Sequence, residues 1–157
     1  MGGEEEAHAA IDRGLACAEA VGAGAVHGMA GFATGQGAEA CFIGNLRYAA
    51  KAAQAAGRTI LIEPLNGYDA PGYFLDHSDK ARRIIEAVGA PNLKLMFDCY
   101  HIQIIEGDLT RRITANLDII GHVQFAGVPH RSRPDEGEIS YRHVFAHLAD
   151  LGFTPPL

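Results

Sequence analysis

The sequence predicts an α/β fold built on parallel strands, and three observations carry that reading. Short apolar runs of strand length alternate with amphipathic helical stripes from one end of the chain to the other. The first three helical stripes are closed by Gly22, Gly57 and Gly89, and Gly accepts the left-handed conformation that ends a helix. Residues with hard oxygen or imidazole donors recur where the apolar runs stop, the position at which parallel α/β folds place their ligands. Such alternation implies right-handed crossovers, in an open sheet or in part of a (β/α)8 barrel.

The elements follow in order. Glu4 to Val21 sets Ile11, Leu15 and Ala18 on one face, with Glu4, Glu5 and Glu6 in the first turn, where the helix dipole favours acids, and Gly22 beyond the end. Ala25 to Met29 reads as a strand running into a loop that carries Gly28, Gly31, Gly35 and Gly37. The Ala-rich stretch from Ala38 to Ala56 pairs Phe42 with Leu46 and stops at Gly57, which makes a second helix. Arg58 to Glu63 is a strand ended by Pro64, and Leu65 to Asp76 is a polar, Gly-containing connection.

Ser78 reads as the N-cap of a helix bearing Ala81, Ile84, Ile85 and Val88, closed by Gly89. Asn92 to Asp98 is the third strand. Tyr100 to Ile105 and Leu109 to Asn116 are two short helical pieces around Glu106 and Gly107. Ile119 to Ala126 is the fourth strand, and the loop Gly127 to Glu138 leads to a last helix with Tyr141, Val144, Phe145 and Leu148 on one stripe. No internal repeat, linker or low-complexity tract interrupts residues 1–157, so a single domain is expected.

Composition narrows the function classes. The chain has 157 residues, 48% of them hydrophobic, and a mean hydropathy of +0.01, which describes a globular protein and not a disordered one. No apolar run approaches the roughly 18 to 20 residues of a membrane span, and the N-terminal MGGEEEAHAAID is acidic where a secretory signal is basic, so a cytoplasmic location is expected. Net charge is −6, with 13 basic against 19 acidic residues, which leaves no electrostatic footprint for nucleic acid or an anionic membrane. Cys17, Cys41 and Cys99 have no CxxC spacing and are expected to be reduced thiols, mostly buried.

The strand ends hold the candidate chemistry. Glu63 ends the second strand, Asp98 the third with His101 just beyond, and the fourth carries His122 and Gln124. Two carboxylates and an amide oxygen suit an oxygen-rich site for Mg2+ or Mn2+. Each residue also has a plainer reading. Glu63 could cap the loop after Pro64, Asp98 could N-cap the helix that follows, and Gln124 could be a hydrogen-bonded core amide. Three such residues at the same end of successive strands favour a site. A single strand His such as His122 is more often a packing residue, and His130 and Arg131 lie in a loop where Arg could clamp a carboxylate or simply be solvated. The Gly-rich segment has neither the Lys-Ser/Thr of a P-loop nor GxGxxG order, and there is no GxSxG elbow.

Taken together, LIEPLN (Leu61 to Asn66), PGYFL (Pro71 to Leu75), NLKLMFDCYHIQIIEGDLT (Asn92 to Thr110), GHVQFAGVPHR (Gly121 to Arg131), GEISY (Gly137 to Tyr141) and NLRYAA (Asn45 to Ala50) closely resemble the hydroxypyruvate isomerase family, within the xylose-isomerase-like TIM barrels. The resemblance implies a partial (β/α)8 barrel whose four parallel strands match family strands four to seven. It implies Glu63, Asp98 and Gln124 as divalent-metal ligands, Glu63 also as catalytic acid/base, and His101, His130 and Arg131 as substrate-positioning groups. The implied reaction interconverts hydroxypyruvate and tartronate semialdehyde through an enediolate, with a small hydroxy- or keto-acid as substrate.

The sequence departs from the family at both ends. The strand that brings a second glutamate, both ligand and acid/base, has no counterpart before Leu157, and neither Glu136 nor Glu138 matches its place. The metal site is therefore expected to be incomplete, and the isolated chain weakly active or inactive. Two other readings are an isomerase or epimerase of a longer sugar acid, and a non-catalytic fragment that survives by association. Open strand edges lead to the expectation of a homo-oligomer.

Overall fold

The computed structural model describes residues 2–157. Its elements run α1 (Gly2–Val21), β1 (Ala25–His27), α2 (Ala38–Ala55), β2 (Thr59–Ile62), α3 (Ser78–Val88), β3 (Leu93–Asp98), α4 (Cys99–Ile105), α5 (Leu109–Asn116), β4 (Ile120–Gln124) and α6 (Tyr141–Asp150). The strands form one parallel sheet in the order β1-β2-β3-β4, as the alternation predicts. Strand alternation sends Ile60, Ile62, Leu93, Leu95, Phe97 and Val123 into a buried core with Leu46, Ala53, Ile84 and Ile113 from the helices. The opposite face carries the intervening residues, among them His27, Leu61, Met96 and Asp98.

One irregularity decides what that second face presents. Between β3 and β4 the register runs Leu95↔Ile120 and then Met96↔His122, so Gly121 is an extra residue on β4. The bulge aligns Asp98 with Gln124; an unbroken register would align it with Val123. Only Gly fits there, because a Cβ on residue 121 would lie 2.6 Å from Lys94 Cβ and 3.2 Å from Leu61 Cδ2.

Several expectations are corrected. Ser78 does not cap α3; His77 holds that position, and Ser78 donates its N–H and hydroxyl to the two Glu106 carboxylate oxygens at 2.6 and 2.9 Å. Arg112 Nε adds a third donor to Glu106 at 2.8 Å, so this buried carboxylate ties α3 to the α4–α5 junction. Cys99 is buried, but Cys17 and Cys41 are exposed. β1 stops at His27 and β4 at Gln124, each two residues before the end of its apolar run, because the chain there turns into loops. Among the described residues no helix is long and apolar enough to cross a membrane.

Candidate functional site

Each site residue is delivered by the end of a strand. Glu63 follows β2 directly, where Pro64 ends the ladder, and the residue is 5% exposed. Asp98 is the last residue of β3 and the N-cap of α4, and its Oδ1 accepts the Tyr100 N–H at 2.9 Å. Strand thus passes into helix with no loop, and His101 falls one turn beyond Asp98 on the same side. The capping and ligand readings of Asp98 are both compatible with this geometry, because capping uses Oδ1 and leaves Oδ2 facing the site.

The three side chains converge. Glu63, Asp98 and His101 offer donor atoms within 4.8 Å of one another, and all three are buried. His101 Nε2 lies 3.9 Å from Glu63 Oε1 and 3.8 Å from Asp98 Oδ2. Arg131 reaches back from its loop to within 3.3 Å of Asp98 Oδ2, with its guanidinium 5.1 Å from the centre of the Tyr100 ring. Gln124 stands beside Asp98 through the bulged register, and a cavity of about 380 Å3 opens between Asp98, His122, Gln124, Arg131 and Leu157. His130 is exposed and makes no hydrogen bond or ion pair with the cluster among the described residues.

The electrostatics single out Glu63. Burial first, and the Asp98 carboxylate second, push its pKa from the ordinary 4.5 up to about 8, although Arg131 pulls the other way. His101 is held below its ordinary value, chiefly by burial. Burial also pushes the Cys99 thiol up to about 12, which leaves it protonated and a poor nucleophile.

The donor set fits a hard divalent cation. Glu63 Oε1 is a buried oxygen with no hydrogen-bond partner, a costly state that a cation would relieve, and Asp98 Oδ2 lies alongside.

Two further residues belong to this cluster. His27 ends β1 with Nε2 buried, unpartnered and 3.6 Å from Glu63 Oε2; in the sequence it is hidden inside the apolar run Ala25 to Met29. Asn66 is fully buried and bonds His101. Its signal was the Asn66-Gly67 pair, which reads first as a turn.

Two buried carboxyls, an imidazole and an arginine gathered at the carboxyl ends of parallel strands stand where TIM-barrel folds place their functional sites. The chain is a member of the xylose isomerase-like TIM barrel family, whose family model matches residues 2–157. It is 43% identical over 156 residues to a 2-oxo-tetronate isomerase of Cupriavidus necator, covering 97% of this chain and 60% of that protein. It is 41% identical over 125 residues to a hydroxypyruvate isomerase of Escherichia coli, covering 80% of this chain and 48% of that one. The crystal structure of AP endonuclease, family 2, from Brucella melitensis superposes with a TM-score of 0.95 at 39% identity, covering 99% of this chain and 61% of that chain. The chain therefore spans about 60% of the length of the C. necator isomerase.

Proposed function

We propose that the chain acts in a metal-assisted aldose–ketose isomerisation of a small hydroxy- or keto-acid, with hydroxypyruvate and tartronate semialdehyde as the substrate pair. The carrying observation is the convergence on Glu63, a buried carboxyl whose Oε1 has no hydrogen-bond partner and which offers a donor atom within 4.8 Å of those of Asp98 and His101. Burial holds its proton in the metal-free chain, and a bound cation would favour the carboxylate that abstraction of a proton beside a carbonyl requires. Glu63 takes the proton from the hydroxymethyl carbon, leaving a planar enediolate; return of a proton to the adjacent carbon, with the hydroxyl proton of the first carbon passed to the oxygen of the second, completes the isomerisation. Arg131 pairs with the substrate carboxylate, exchanging its contact with Asp98 for a stronger two-pronged one. Glu63, Asp98 and Gln124 would hold the divalent ion, Mg2+ or Mn2+, which supplies charge stabilisation for the enediolate oxygens.

A second reading differs only in substrate. The 43% identity to a 2-oxo-tetronate isomerase favours a four-carbon sugar acid, which the open cavity beside Gln124 and Arg131 would accommodate. An endonuclease reading, suggested by the name of the Brucella protein, meets a net charge of −6 that repels a phosphate backbone.

The test is exchange of the substrate C–H hydrogens with D2O, followed by NMR for hydroxypyruvate and for 2-oxo-tetronate with added Mg2+ or Mn2+. Metal-dependent exchange that is lost in Glu63→Gln is the expected result, and the faster substrate decides between the two readings. Background exchange in both proteins would leave the non-catalytic alternative.

A further inference from the structure

Two N–H groups of one residue converge on a single nitrogen of His101. The Asn66 backbone N–H donates to His101 Nδ1 at 3.1 Å, and Asn66 Nδ2 lies 2.8 Å from the same atom. The other end of the amide settles which way it faces. Asn66 Oδ1 accepts the backbone N–H groups of Tyr68 and Asp69, both at 3.0 Å, so the NH2 group is the end turned to the ring. Its second hydrogen serves Asp69 Oδ2 at 3.1 Å. With Asn66 at 0% exposure, water has no access to offer an alternative partner.

A ring nitrogen met by two donors has to present its lone pair. We infer that Asn66 is a positioning residue that locks His101 as the neutral Nε2–H tautomer, so that His101 serves the site as a hydrogen-bond donor to a substrate oxygen and not as a metal ligand. Metal-bound histidines show the reverse polarity: the nitrogen facing away from the metal donates to a carboxylate or carbonyl, leaving the inner lone pair free. Here the outer nitrogen faces donors, and the proton is on the inner one.

That proton points into the gap between Glu63 Oε1 and Asp98 Oδ2, at 3.9 and 3.8 Å from Nε2. Both distances are too long for a direct hydrogen bond, so the N–H is available to an incoming acceptor. A carbonyl or hydroxyl oxygen that gains negative charge during proton transfer is the acceptor that rewards such a donor most. What the donor meets rests on the isomerase reading; the tautomer does not.

The test is long-range 1H–15N NMR of the full chain labelled with 15N-histidine, with His101→Gln used to assign the resonance. The pyridine-like nitrogen is expected at Nδ1 and the protonated one at Nε2, and saturating Mg2+ is expected to leave that pattern unchanged. A protonated Nδ1 in the native chain, or loss of the Nε2 proton on adding Mg2+, would overturn the inference. Asn66→Asp, which turns an acceptor toward Nδ1, is expected to move the proton there and to slow substrate C–H exchange roughly 100- to 1000-fold, the usual cost of losing one donor to a developing oxyanion. An unchanged tautomer in that variant would remove Asn66 from the role. Absence of exchange with either substrate, alongside the expected tautomer, would defeat the isomerase reading alone.

Discussion

Replacing Glu63 by Gln should make the metal-free chain more stable at alkaline pH and leave it nearly unchanged at acidic pH. Glu63 titrates near 4.5 when unfolded and at about 8 when folded. Below the lower value both states hold the proton and the group contributes nothing. Between the two values the folded state binds a proton that the unfolded state has lost, so stability falls as pH rises, and the loss is complete above about 8. At about 1.4 kcal/mol per pH unit of separation, the ceiling is roughly 5 kcal/mol. Relaxation around the carboxylate would reduce that to a few kcal/mol. Gln keeps the shape and cannot ionise, so its stability should be flat over the same window. Urea unfolding in EDTA between pH 4 and 9, for both proteins, measures the difference directly. Parallel pH profiles for the two would refute the premise that Glu63 is buried beside the Asp98 carboxylate. Saturating Mg2+ should restore the native protein at pH 9 and do little for Glu63→Gln, because only the carboxylate gains from the cation.

Other consequences follow from the same geometry. Below pH 8, Mg2+ binding should release about one proton per site, visible as a buffer-dependent enthalpy in calorimetry. Gly121→Ala should cost about 1 to 3 kcal/mol, since its Cβ meets Lys94 Cβ at 2.6 Å; it should also weaken metal affinity by pulling Gln124 out of line with Asp98, and unchanged calorimetric affinity would count against Gln124. Glu106→Ala should lower stability by on the order of 2 to 4 kcal/mol by stranding Ser78 and Arg112, while leaving the Mg2+ Kd unaltered. Light scattering is expected to show a homo-oligomer, given the unpaired edge of β1.

Some of the site could be read directly from sequence and some could not. The strand-end places of Glu63, Asp98 and Gln124 were legible because a parallel strand fixes where its last residue sits, and apolar runs mark where strands end. His101 was legible as the residue one turn beyond Asp98. His27 was not, since the apolar run of β1 continues to Met29 and hides the point at which pairing stops. Ser78 was misread because a helix-start pattern is local, whereas its partner Glu106 is 28 residues away. His130 and Arg131 are neighbours with the same loop setting, yet only Arg131 turns toward Asp98.

By itself the sequence determined the parallel α/β architecture, the element order and the carboxylates at the strand ends, because periodicity and strand length are properties of short segments. Only the tertiary structure decided which of these groups meet and in what state. The Gly121 bulge aligned Gln124 with Asp98, burial and a neighbouring charge raised Glu63 to about 8, and Asn66 turned the His101 proton inward. Register, desolvation and hydrogen-bond polarity each depend on residues distant in the chain, and a local pattern does not encode them.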